Sequence, residues 1–209
     1  MMPVIRSLFD PKKSITIIIK DKKKIKRFRL DTERLIIRDF KADDKEVLYQ
    51  ISNNPEVLKS FHHHKGSLPM EEVEEWISAS IRDSGREPRR HYSLGIESKD
   101  LEKLIGHVGL GNVDYKYRKA FLGYFLHPDF WKNGYASEAV TGLIDYAFNV
   151  LNLRRIEAYS DFDNNKSQNF LKKLGFAEEG VLRENYQKYT GEVTDTKIFG
   201  LLRREWGGN

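Results

Sequence analysis

Residues Gly123 to Glu138 read GYFLHPDFWKNGYASE. The fold follows from how this stretch changes character. It opens as an aromatic strand, breaks at His127-Pro128, and passes through a loop holding Lys132, Asn133 and Gly134. From Tyr135 to about Val150 a helix is expected. Ala136, Ala139, Val140, Leu143, Ile144, Ala147 and Phe148 keep helical spacing, so one face packs on a sheet. The first turn of a helix leaves backbone N–H groups without partners and carries the positive end of the macrodipole. A loop that turns those amides outward binds a diphosphate without needing cationic side chains. Gly134 lets the backbone approach such a ligand, and Ala136 keeps the helix start small. Taken alone, such a junction is more often simply a tight turn.

Working outward, Arg34 to Phe40 (RLIIRDF) reads as a strand. Asp43 to Asn53 reads as a helix with Val47, Leu48 and Ile51 on one face. Ser67 is the candidate cap of a second helix, in which Val73, Ile77 and Ile81 recur every four residues. Strands are expected at 91–97, 104–113 and 119–127. Beyond the long helix, Arg155 to Ser160 reads as a strand. Asn165 to Leu174 reads as a short helix that Gly175 ends in a left-handed cap. Phe176 to Trp206 then carries two strands around Thr190-Gly191. Short turns make the middle strands antiparallel. The long helix is a crossover, which sets the next strand parallel to its predecessor. The sum is an α+β fold: a mixed, largely antiparallel central sheet flanked by helices.

The chain has 209 residues, 39% hydrophobic and 32% charged, enough to bury a core and too apolar for a disordered chain. No apolar run approaches the ~20 residues of a membrane helix, so no membrane partner is expected. The start, MMPVIRSLFDPKK, lacks a signal peptide's apolar centre. With no cysteine, disulfides, thiolate nucleophiles and Cys-based zinc sites are excluded, and a cytoplasmic location is the default. Residues 1–30 hold ten Lys/Arg against two Asp/Glu, whereas the remainder holds 26 against 29. Two parts are therefore expected: a basic N-terminal extension at 1–30, and a catalytic body at 31–209. Residues 14–30 read as a β-hairpin, and seven of residues 20–29 are Lys or Arg. Such a run serves as a solvated edge with gatekeeper lysines. Its functional alternative is a contact to RNA, a ribosome or another polyanion.

The ordered motifs carry a resemblance. Thr32-Glu33-Arg34-Leu35-Ile36-Ile37-Arg38 is followed by Ile105-Gly106, Gly123-Tyr124 and Trp131 to Glu138. Then come Tyr146-Ala147-Phe148, Leu153-Arg154-Arg155-Ile156, Asn164-x-x-Ser167, Leu174-Gly175-Phe176, Glu179-Gly180-x-Leu182-Arg183 and Asp195. Over about residues 31–206 this set resembles the GNAT superfamily of N-acetyltransferases, in its RimJ/RimL-like, ribosomal-protein-alanine branch. The resemblance implies the acyl-CoA N-acyltransferase fold and acetyl-CoA as acetyl donor. It implies transfer to a primary amine, most naturally a protein N-terminus, with a small-molecule amine or polyamine as the alternative acceptor. It implies that backbone from Lys132 through Asn133, Gly134, Tyr135 and Ala136 to Ser137 holds the pyrophosphate. The edge of Phe125, Leu126 and His127 would pair with the pantetheine arm, and an amide of Leu126 or His127 would polarise the thioester carbonyl. Asn164 would line the cofactor from the other side. Ser167 matches the residue that protonates the departing CoA thiolate. Tyr186 falls where some ribosomal-protein-directed enzymes carry a glutamate, with Glu184 two residues before; both are candidates for base or relay.

Two departures stand out. The commoner loop has glycine where this chain has Lys132. The tyrosine acid that many members carry on the last helix is replaced by Leu171, which donates no proton. A rival of another class is a catalytically weak CoA-binding protein that docks on RNA or the ribosome through the basic hairpin. Outside the motifs the expected roles are structural. Glu138 interacts with the helix dipole or a neighbouring loop. His62-His63-His64 is a polar loop, and no metal site is expected. His107 is a structural histidine within a strand. Trp76 is core or a wall of the acceptor cleft. The sequence leaves a homodimer open.

Overall fold

The computed structural model describes residues 16–17, 27–59, 66–188 and 191–207. The elements are β1 (Thr16–Ile17), β2 (Arg29–Asp31), β3 (Leu35–Asp39), α1 (Lys45–Ser52), α2 (Pro55–Leu58), α3 (Met70–Ser84), β4 (Tyr92–Ser98), β5 (Lys103–Asp114) and β6 (Lys119–Leu126). They continue with α4 (Tyr135–Asn149), β7 (Arg155–Asp161), α5 (Asn165–Lys173), β8 (Ala177–Gln187) and β9 (Val193–Leu202). All described strands form one sheet in the order β1-β2-β3-β4-β5-β6-β7-β9-β8. Every neighbouring pair is antiparallel except β6 and β7. That exception follows from the α4 crossover between them.

The parallel pair is short. Lys119, Ala120 and Phe121 face Arg155, Ile156 and Glu157, and there the ladder stops. Both strands run on, to Leu126 and Asp161, without bonding each other. The sheet is therefore split in its middle.

Two cores lie on opposite faces of the sheet. On one face α4 buries Ala139, Val140, Leu143, Ile144 and Ala147 against Leu35, Ile37, Leu94, Ile96, Leu122 and Ile156. Its approach is closest at Gly142, where an added Cβ would stand 2.9 Å from Leu30. Phe28 and Leu30 belong to this core, so the catalytic body's packing reaches back to Phe28. On the other face α1 and α3 bury Leu48, Ile51, Val73 and Ile77 with Phe40 and Leu104.

Two local expectations need correcting. Ser67 does not cap α3, which starts at Met70 after Pro69. Proline disfavours helical geometry in the residue before it, so no helix begins at Leu68. Ile81 does not continue the buried row of Val73 and Ile77; it is 40% exposed, and Ser80 is buried instead, because a step of four residues overshoots the 3.6-residue helical turn. The loop from Pro55 to Pro69 contains α2, capped by Asn54, whose side chain accepts from the Glu56 amide at 3.0 Å, with Pro55 at the first helical position. Of the expected hairpin at 14–30, the described parts are β1 and β2, which pair antiparallel (Thr16 with Asp31, Ile17 with Leu30). Residues 18–26, His62 to His64 and Thr190 lie outside the described residues.

Candidate active site

The junction between β6 and α4 is held open by its backbone. Gly134 precedes the helix with φ +81, in the left-handed region, and Lys132 takes φ +63. The first helical bond runs from the Glu138 amide to Gly134 O at 3.0 Å. Among the described residues the amides of Lys132 to Ser137 find no acceptor, and no side chain caps the helix. Six successive unpaired donors thus stand at the positive end of a 15-residue helix, an arrangement that favours an anion.

The junction is braced from behind. The Arg34 guanidinium lies 4.4 Å from the Tyr135 ring centre. It donates to Asn133 O at 2.9 Å and to the Glu138 carboxylate at 2.7 Å. Glu138 also accepts from Thr32 Oγ1 at 2.6 Å and the Arg34 amide at 2.7 Å. Burial pushes the Glu138 carboxyl up, but these hydrogen bonds outweigh it and hold the group below its ordinary 4.5. Glu138 thus ties the start of α4 to the β2–β3 turn.

The edge of β6 beside the split is the second component. In a strand, successive amides point to opposite sides. The His127 amide donates back to Ile105 O of β5 at 2.9 Å. It is therefore unavailable for a thioester, which corrects one of the two expected donors. The Leu126 amide points the other way, into the split. Leu126 O is taken by the Trp131 indole N–H at 2.8 Å, which fixes the loop to the strand end.

Across the split stands α5. Asn164 caps it, its side chain accepting the Ser167 amide at 3.1 Å. Ser167 Oγ lies 3.0 Å from the Tyr124 hydroxyl. The two arms of the sheet are therefore bridged by a hydroxyl pair. Burial pushes the Tyr124 phenol up to about 12, so it keeps its proton at neutral pH. Leu171, at the position of the family's helix tyrosine, is fully buried in the core. Lys166, the residue before Ser167, holds its ammonium 5.1 Å from the Trp131 ring centre.

The opposite face carries an aromatic wall. His107 stacks on Phe125 at 5.2 Å and on Phe40 at 6.0 Å, with Trp76 tilted against it at 5.1 Å. Trp76 Nε1 donates to Ser93 Oγ at 2.9 Å, and Ser93 Oγ lies 3.1 Å from His107 Nε2. Burial lowers the imidazole to about 3, so it is neutral. The carboxylates nearby in sequence are spoken for. Asp44 and Glu97 both bind Arg38, and Asp39 binds Arg89. Of the base candidates, Glu184 is exposed on β8 with φ +50, its amide donating to Asp195 at 2.8 Å. Tyr186 is partly buried on the same strand. The structure brings Ser167, Asn164 and the 132–137 loop around the split and sets Glu184 on the rim. The Tyr124 hydroxyl is the functional group that sequence reasoning passed over.

Comparison with known proteins agrees with this geometry. The family model described as "Acetyltransferase (GNAT) domain" matches residues 34–177. An uncharacterized N-acetyltransferase of Bacillus subtilis (strain 168), YoaA, is 35% identical over 175 residues, 83% of this chain and 96% of that protein. YdaF of the same organism, named as a candidate ribosomal N-acetyltransferase, is 36% identical over 124 residues, 57% of this chain and 67% of its own. The crystal structure of spermidine N-acetyltransferase from Vibrio cholerae, in complex with CoA and spermine, superposes with a TM-score of 0.73 at 24% identity, covering 83% of this chain and 98% of that one. At that identity the likeness speaks for the fold. A split mixed sheet, an open helix start beside its free strand edge, and a family match over most of the chain agree: this protein belongs to the GNAT family of N-acetyltransferases.

Proposed function

We propose that the enzyme transfers the acetyl group of acetyl-CoA to the α-amine of a protein N-terminus. The observation that carries the cofactor half is the run of unpaired amides at 132–137, continuous with the free edge of β6. Those amides hold the pyrophosphate, and Lys132 and Lys166 add positive charge at the mouth of the split. Bound there, acetyl-CoA supplies a thioester carbonyl as the electrophile. The Leu126 amide donates to its oxygen as negative charge gathers, and the buried setting strengthens that bond. Ser167, positioned by Tyr124, donates toward the sulfur on the α4/α5 face.

The acceptor half rests on the character of the opposite face. Its wall is made of Trp76, Phe40, Phe125 and neutral His107, and the nearby carboxylates Asp39, Asp44 and Glu97 are held by arginines. A polycationic amine gains little from such a wall, whereas an uncharged peptide does. An N-terminal amine, with an ordinary pKa of ~7.7–8.0, is already largely neutral near pH 8 and needs little help from a base. The similarity to YdaF supports the same class of acceptor.

The test is thiol release from acetyl-CoA with a panel of N-terminal peptides, a lysine-bearing peptide with a blocked N-terminus, and spermidine. Free N-termini should give the highest kcat/KM. Preferential acetylation of spermidine would refute the acceptor assignment, and no turnover of any amine would favour the docking-protein alternative.

A further inference from the structure

Among the described residues, the Asp161 carboxylate has no arginine on it. We propose that Asp161, at the last position of β7, receives the acceptor amine and takes up its proton. This rests on the reading that the thioester lies along Leu126. Four observations place it there.

The first is position. Phe121 and Glu157 form the last rung between β6 and β7. Four residues further along each strand, Asp161 stands level with Phe125 across the split, one residue from the Leu126 amide.

The second is the face. Ile156 and Ala158 are buried in the α4 core, so Glu157, Tyr159 and Asp161 point to the other side. The contact between Phe121 and Tyr159, 5.0 Å between ring centres, confirms the alternation. Asp161 therefore shares the face of Phe125, opposite the side on which Ser167 and Tyr124 meet.

The third is the state of the carboxylate. Asp161 is 5% exposed. Oδ1 accepts the Asp163 amide at 3.0 Å, which aims the group. Oδ2 has no hydrogen-bond or ion-pair partner among the described residues. It is also absent from the sealed, unsatisfied atoms, of which the described residues show one, His107 Nδ1. A nearly buried oxygen that is unpartnered yet reachable is a group waiting for a donor.

The fourth is its surroundings. Asp161 is the cross-strand partner of Thr196, and Thr194 and Tyr186 follow on the same face of β9 and β8. Tyr186 is pushed up by burial and then by the negative charge of Asp161, which sets the two in electrostatic range. Together these residues line a polar patch beside the aromatic wall. The patch supplies donors and acceptors for the peptide bonds that follow an N-terminal amine.

In the step, the nitrogen lone pair forms the C–N bond and the C–S bond breaks, its electrons leaving with sulfur. The nitrogen sheds its proton to Asp161 Oδ2, and the thiolate is protonated from the Ser167 side. The base and the acid thus act from opposite faces, and solvent returns the proton between turnovers.

Asp161→Asn tests this, because asparagine keeps an oxygen that can accept the Asp163 amide while its NH2 replaces the proton-accepting oxygen and removes the charge. Asp161→Ser, whose hydroxyl accepts the same amide, covers the case in which the first variant folds poorly. Melting temperature and acetyl-CoA affinity should match the wild type. The acceptor's kcat/KM should fall about 100-fold or more, the usual size of general-base loss. Wild-type turnover within a few-fold in either folded variant would overturn the proposal. The ratio is measured on whichever amine the wild type prefers. If that amine is spermidine, the N-terminal assignment falls while the ratio still decides Asp161.

Discussion

Lys132 sits at φ +63, a region where a side chain is strained and glycine is not. That accounts physically for the glycine commonly found in this loop. The lysine brings charge to a site that otherwise relies on amides. Lys132→Gly should keep the loop's shape, leave stability within about 1 kcal/mol, and weaken acetyl-CoA binding with a flatter salt dependence. Titration calorimetry at two ionic strengths measures both. Glu138 makes the opposite case, a charge whose work is structural. Its folded-state pKa is depressed, so its contribution is present above about 4.5 and fades as pH falls through the lower folded value. Glu138→Gln should cost ~1–3 kcal/mol at pH 7, from weakened charge-assisted bonds to Arg34 and Thr32. The gap between variant and wild type should narrow below pH 4.5 in urea titrations. Equal stabilities at pH 7 would mean that the clamp holds nothing.

At the scale of elements, the helix start and the hydroxyl bridge are the parts that can fail separately. Gly134 has φ +81, and an added Cβ would stand 3.2 Å from the Arg34 guanidinium. Gly134→Ala should cost about 1–2 kcal/mol and loosen acetyl-CoA more than it loosens the fold. In the proposed mechanism Ser167 and Tyr124 share one proton path, so their losses should not add. Ser167→Ala and Tyr124→Phe should each lower kcat about 10-fold or more with little change in the KM for acetyl-CoA, and the double variant should resemble the worse single. Additive losses would show two independent roles. Much of this was legible beforehand. The periodicity of α4, the break at His127-Pro128 and the capping residue Asn164 are local signals, and they mark the helix start and the far side of the split. The Tyr124–Ser167 pair was not legible, because the two are 43 residues apart in the chain and meet only through the crossover. The choice between the Leu126 and His127 amides depends on strand parity. One hydrogen bond to Ile105 settles it, and no residue type reports it. The Asn54-Pro55 start of α2 is a plain sequence signal, a capping residue followed by proline, that the reading by periodicity passes over.

For the whole molecule, the N-terminal charge and the catalytic body can be separated only at the right place. Phe28 packs edge-on against Tyr146 at 4.9 Å, and Leu30 is fully buried. A cut after residue 30 would open the α4 core, whereas a cut before Arg27 removes most of the basic run and leaves the core. The shorter deletion should retain acetyl transfer to peptides. Where the basic segment binds polyanions, it should also abolish the steep salt dependence of that binding. Ligand linkage offers a global check as well. Acetyl-CoA at 100 times its Kd should stabilise the fold by about 2.7 kcal/mol, or roughly 5–10 °C for a chain of this size.

The parting of β6 from β7 beyond Phe121 leaves main-chain donors and acceptors facing water in the interior of a sheet, where neighbouring strands have theirs covered. In deuterated solvent the Tyr124 and Leu126 amides should therefore exchange early, while those of β5 beside them stay protected. Saturation with the cofactor should slow precisely placed amides, those of Tyr124 and Leu126, turning a seam into a closed strand ladder.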